Sequence, residues 1–144
     1  MIKTHKLNFD LSREVYEKCK SALTVKECYN NVFNTISFYP EKFRDDWKVT
    51  YGYCTALDNL LARHCFIVNE KGEAIDPTIF TRSESSIEGS KDKLFVSHTI
   101  FEFDDYIEAL GKEEGQPALY DYFRKKEMNI AQPWANKNGY ILVG

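Results

Sequence analysis

Between residues 24 and 80 the spacing of apolar residues changes once, and that change limits the fold more than any other feature of the chain. Val25, Tyr29, Val32 and Ile36 recur every three or four residues, the period of a helix with one buried stripe. Thr24 and Glu27 stand in T-x-x-E spacing, so the pattern predicts a helix over 24–38 opened by a capping box. After the polar connection "YPEKFRDD" the signals become those of strands. "WKVTYGYCTAL" is rich in aromatic and β-branched residues, and "RHCFIV" at 63–68 is a short apolar run. "EKG" is a turn signal and "EAIDPTIF" follows it, which predicts a hairpin over 63–80 with residues 64–68 opposite 74–78.

The rest of the chain fits around this unit. "SREVYEKCKSA" predicts a helix over 12–22 capped by Ser12, with Val15, Cys19 and Ala22 on one face. Residues 82–93, "RSESSIEGSKDK", are polar and Ser-rich and read as a long mobile loop. Residues 94–103 read as a strand, and 104–110 and 117–128 as helices, with Pro117 in a favoured first-turn position. The tail "NGYILVG" reads as a last strand or a tie-down. Helices, then an antiparallel sheet, then helices make an α+β domain. With 144 residues, 43% of them hydrophobic and 15% aromatic, one domain over 1–144 is expected. A chain of this length buries roughly two thirds of its unfolded surface.

Composition narrows the function classes. A formal charge of −3 gives no electrostatic case for nucleic acid or an anionic membrane as the main partner. The start, "MIKTHKLNFDLS", has no apolar core of a signal peptide, and no apolar run nears the ~18 residues of a membrane span. A cytoplasmic setting with reduced thiols is the expectation for Cys19, Cys28, Cys54 and Cys65. No CxxC pair argues for a zinc ribbon or a thioredoxin site, and no Walker or dinucleotide glycine motif is present.

The chemistry centres on three residues. The predicted capping box puts Cys28 at about the fourth helical position, where unpaired N–H groups favour a thiolate. Core filler is the ordinary role of a cysteine at such a site. His64 lies in a strand, and Cys65 alternates to the opposite face. Asp76, in "IDPT", suits a turn. Across the hairpin it also comes within reach of His64. A carboxylate on one imidazole nitrogen fixes the tautomer and leaves the other nitrogen for a thiol. Cys54, ten residues before His64, is the rival nucleophile, although a strand offers no helix dipole. Cys19 reads as core, His5 and His98 as ordinary histidines, and "RKKE" at 124–127 as a solvated helix face. A zinc site from Cys28, Cys54 and His64 matches no compact knuckle.

Cys28, Gly52-Tyr53, His64-Cys65-Phe66 and Asp76-Pro77-Thr78, in this order and spacing, resemble the transglutaminase-like branch of the papain-like cysteine superfamily. The resemblance covers about residues 24–80. It implies a papain-like fold and acyl transfer at a carboxamide or peptide bond, as a hydrolase, deamidase or transglutaminase. Cys28 would be nucleophile, His64 general base and acid, and Asp76 the orienting carboxylate. Tyr29, Asn31, Tyr53 and Phe66 flank them as candidates for substrate contact, with Asn31 or Tyr16 as a second oxyanion donor. No cofactor is implied. The expected partner is a protein, peptide or small amide in a bacterial or phage setting, and the sequence sets no oligomeric state. The chain departs from the pattern at Glu27, Tyr29 and Phe66, where Gly, Trp and Trp are usual, and has no glutamine before Cys28. Those departures keep two other readings open, an inactive binding protein on the same scaffold and a metal-binding protein.

Overall fold

The computed structural model describes all residues, 1–144. In chain order it runs β1 (Lys3–His5), α1 (Phe9–Cys19), α2 (Cys28–Ile36), α3 (Pro40–Asp45), β2 (Lys48–Leu57), β3 (Leu60–Val68) and β4 (Ala74–Ile75). A 3-10 turn, Pro77–Thr81, leads to α4 (Glu84–Gly89), a second 3-10 turn, Ser90–Asp92, and β5 (Phe95–Phe101). Then come α5 (Phe103–Lys112), α6 (Tyr120–Lys126), a π-helical turn (Glu127–Ala131), α7 (Gln132–Asn138) and β6 (Ile141–Val143). The fold is α+β, built on one mixed six-stranded sheet in the order β1-β5-β2-β3-β4, with β6 parallel to the start of β3. No helix is long and apolar enough to cross a membrane.

Alternation along β2 and β3 divides the core between the two faces of the sheet. Val49, Tyr51, Tyr53, Leu61, Cys65 and Ile67 face the larger cluster, which α1, α2, α5 and α6 cover. Cys54, Phe66 and Val68 face a smaller cluster closed by Ile79 and Phe80 of the first 3-10 turn. Gly52 lies opposite His64 at a bulge in the β2–β5 ladder. A Cβ at that position would fall 1.9 Å from the Val96 carbonyl oxygen, so β5 approaches too closely for any other residue.

Several local expectations change. Asn8, not Ser12, caps α1, through its side-chain oxygen and the Leu11 N–H. The second helix starts at Cys28 rather than near 24. The capping box does not form: the Thr24 backbone is held by the Asn31 side chain at both its N–H and its C=O, and Lys26 takes a positive φ of 66°. Val25 is consequently exposed. Residues 82–93 hold a short helix and a 3-10 turn rather than a plain loop. Ser83 caps α4 by accepting from Ser86 N–H, and Ser90 donates to the Ser86 carbonyl, so the serines act as local hydrogen-bond closures. Pro117 stands outside its helix, its carbonyl taken by the Tyr51 hydroxyl, and α6 starts at Tyr120.

Candidate active site

The hairpin turn sets the geometry first. The Asn69 side-chain oxygen accepts from Lys71 N–H and Glu73 N–H, and Gly72 takes φ 77°, which a residue without Cβ adopts freely. This turn pairs Ile67 with Ile75 and Val68 with Ala74. Pro77 has no N–H to continue a ladder, so the strand ends at Ile75 and Asp76 turns onto the His64 face.

His64 Nε2 donates to Asp76 Oδ2 at 2.6 Å, with only 12% and 2% of the two side chains exposed. The Asp76 N–H donates to Ser12 Oγ, which itself donates to the Asn8 carbonyl, so α1 holds the carboxylate's backbone in place. Asp76 Oδ1 is buried and has no partner, so the carboxylate is directed to His64 alone. Phe66 stacks on the imidazole at 6.1 Å and 18°, and Phe95 tilts against it at 6.0 Å. Burial opposes charge on this ring. The Asp76 carboxylate overrides that penalty, with Cys54 and Cys28 acting in the same direction as Asp76, and the ring's pKa is held well above the ordinary histidine range. Nδ1 makes no hydrogen bond within the protein, and His64 lines a cleft.

Cys28 is the first residue of α2, and Glu27 gives no side-chain cap, so the first-turn N–H groups have no side-chain acceptor there. One turn on, Asn31 donates to the Thr24 carbonyl at 2.7 Å and to Thr78 Oγ1 at 3.1 Å. The second bond ties the start of α2 to the residue two beyond Asp76. On its outer side β3 pairs with β6 at Leu60–Ala62 and with β4 at Ile67–Val68, which leaves residues 63–66 unpaired at the level of His64. Helix α2 packs against β3 and the 77–81 turn. The Cys28 thiol joins the larger cluster with Cys65 and makes no hydrogen bond to His64.

Cys54 holds a different position. It lines a cleft of about 210 Å³ together with His64, Asp76, Thr78, Arg82 and Lys93. Both cysteines are 9% exposed as residues. Cys54 sits in a central strand, opposite Ala62 on one side and Phe95 on the other, so its backbone belongs to the sheet.

Of the four flanking candidates, Asn31, Tyr53 and Phe66 are buried and Tyr29 is half-buried. Asn31 is 1% exposed, and both ends of its amide are engaged within the protein. Phe66 is fully buried and orients the imidazole. Tyr53 is buried and donates to Glu127 Oε2 at 2.6 Å. Tyr29 stacks on Tyr51 at 5.8 Å, and burial raises its hydroxyl pKa. Tyr16 packs against Phe80. Glu127, expected on a solvated face, accepts from Arg63 Nε at 3.0 Å and Nη2 at 2.8 Å, which lowers its pKa. His98 is buried against Phe123, and desolvation lowers its pKa to about 4. His5 bridges the Gly72 carbonyl and Ser97 Oγ, and burial lowers its pKa. Cys19 is buried, all four cysteines are free, and no three His, Cys, Asp or Glu side chains cluster as a metal site would need. Ser12 and Thr78 emerge as supports. The Asp-Pro-Thr motif pointed to Thr78, whereas nothing local marked Ser12, Arg82 or Lys93.

No family model matches the chain, and neither the curated proteins nor the solved structures show a significant match.

Proposed function

We propose that the protein is a thiol-dependent acyl-transfer enzyme of papain-like, transglutaminase-like architecture, acting on a carboxamide or peptide bond. The observation that carries this reading is the His64 Nε2–Asp76 Oδ2 bond of 2.6 Å with Nδ1 left without a hydrogen bond. One nitrogen is committed to a buried carboxylate and the other is available for proton transfer, the arrangement a base-activated thiol requires.

Cys28 is the nucleophile in this reading, and His64 Nδ1 is the group that would take its proton, although the thiol makes no hydrogen bond to the ring. Its sulfur attacks the carbonyl carbon as a thiolate, with its proton on His64. The tetrahedral oxyanion is stabilised by the uncapped first-turn N–H groups of α2, the donors a strand residue such as Cys54 lacks. His64 then gives its proton to the departing nitrogen, the C–N bond breaks, and a thioester remains. Water or an amine, deprotonated by His64, attacks the thioester carbonyl and releases the acyl group, and the thiol is restored. Asp76 favours the imidazolium throughout, and Phe66 keeps the ring in plane.

A second assignment, Cys54 as nucleophile, is favoured by one observation: it lines the His64 cleft. A pool of glutamine-containing peptides, incubated with the protein with and without a primary amine, separates the possibilities by mass spectrometry. Cleavage, deamidation or amine incorporation should disappear in Cys28→Ala and persist in Cys54→Ala. Persistence in Cys28→Ala and loss in Cys54→Ala would reassign the nucleophile. A wild-type protein with no product in any arm would point to the binding-protein reading.

A further inference from the structure

The His64 cleft has a charge imbalance that proton transfer does not use. Arg63, Arg82 and Lys93 all line it. Arg63 is neutralised by two hydrogen bonds to Glu127. Arg82 and Lys93 form no ion pair with any carboxylate of the chain. Asp76 is the only acid in the lining, and its charge is matched by His64. The nearby acids of the 83–92 segment, Glu84, Glu88 and Asp92, stay out of the cleft, and Glu88 pairs with Lys91. Arg82 closes the first 3-10 turn and stands exposed on the rim, whereas Lys93 follows the second turn and is half-buried. The helix and turn between them therefore bring two unmatched cations to the lining of one cleft. Like charges gathered this way repel each other and attract an anion. The volume, about 210 Å³, is below the range that holds drug-sized ligands and suits one residue-sized group.

We propose that Arg82 and Lys93 bind a carboxylate at this cleft. On the acyl-transfer reading, on which this further step rests, the acyl donor is then an amide that carries a carboxylate into the cleft His64 lines. Guanidinium and ammonium groups together suit that partner, one as a planar fork and the other as a point charge.

The test is a nitrogen-15 NMR titration of the full chain with three probes. N-acetylglycine carries a terminal carboxylate, the α-amide of N-acetylglutamic acid an acidic side chain, and N-acetylglycinamide no charge. Saturable shifts at His64, Thr78, Arg82 and Lys93 are expected with a charged probe and not with the neutral one. The tighter charged probe identifies the source of the carboxylate. Affinity should fall at least about tenfold in Arg82→Gln/Lys93→Gln, and several-fold in the wild type as salt rises from about 0.05 to 0.5 M, because screening shortens the reach of both cations. No saturable shift, equal shifts with the neutral probe, or affinity indifferent to salt would overturn the proposal. The titration needs no turnover. Carboxylate binding without a reactive thiol rejects only the acyl-transfer reading, and a reactive thiol without carboxylate binding rejects only this one.

Discussion

Asn31 offers the sharpest separation between a supporting and a reacting role. Its amide makes three hydrogen bonds: Thr24 N–H to Oδ1 at 2.9 Å, and Nδ2 to the Thr24 carbonyl at 2.7 Å and to Thr78 Oγ1 at 3.1 Å. At about 1 kcal/mol net for each bond, Asn31→Ala should cost about 3 kcal/mol. For a chain of this size about 3 °C of melting temperature accompanies each kcal/mol, so the midpoint should fall by about 9 °C. Thr78→Val removes one of the three bonds and should cost about 1 kcal/mol, or about 3 °C. Both variants loosen the start of α2 against the Asp76 segment, so both should also slow alkylation of Cys28 by iodoacetamide. Thermal unfolding by circular dichroism, with the alkylation rate measured on the same samples, reads both effects. If Asn31 instead held an oxyanion, Asn31→Ala would lose activity at nearly unchanged stability. A midpoint within about 2 °C of wild type would refute the bracing argument.

Gly52→Ala should destabilise by about 3 kcal/mol or fail to fold, because its Cβ would meet the Val96 carbonyl; a urea midpoint measures this. The His64–Asp76 pair should make stability depend on pH with a definite sign. The folded imidazole is held above its unfolded value near 6.5, so its contribution is complete below about pH 6.5 and is lost as pH rises through the folded pKa. The stability gap between wild type and Asp76→Asn should therefore narrow at alkaline pH, and a gap that widens there would contradict the pairing. Glu127→Ala leaves Arg63 and the Tyr53 hydroxyl without their acceptor and should cost about 2–3 kcal/mol, less in Glu127→Gln, as denaturant titrations would show.

The hairpin was legible in the sequence because its information is local. Lys71-Gly72 marks the turn, the turn fixes the register, and the register puts Asp76 opposite the strand that carries His64. The start of α2 was not, because the competition at Thr24 is won by a side chain seven residues away rather than by the T-x-x-E pattern. The serines at 83–90 suggested mobility by composition, yet two of them close a short helix. Parallel pairing of Ile141–Val143 with Leu60–Ala62 joins residues some eighty positions apart, which no periodicity reports. At the site the candidate reactive residues were visible as motifs, while their supports were long-range. Ser12 reaches Asp76 from the first helix, and Arg82 and Lys93 meet at the cleft only because the segment between them folds back. Tyr53 and Phe66 belong to the motif and Asn31 follows Cys28 by three residues, but strand alternation and helix packing turn all three inward.

The central claim, that His64 and Asp76 activate the Cys28 thiol, can be measured without a substrate. The native protein is alkylated with iodoacetamide across a pH series, each cysteine is followed by peptide mass spectrometry, and the series is repeated with His64→Ala. Cys28 is expected to react faster than the other three cysteines across the series, and His64→Ala is expected to remove that advantage. A Cys28 that is inert, or that reacts at the same rate in both proteins, would contradict the claim; fast reaction confined to Cys54 would move the nucleophile to β2.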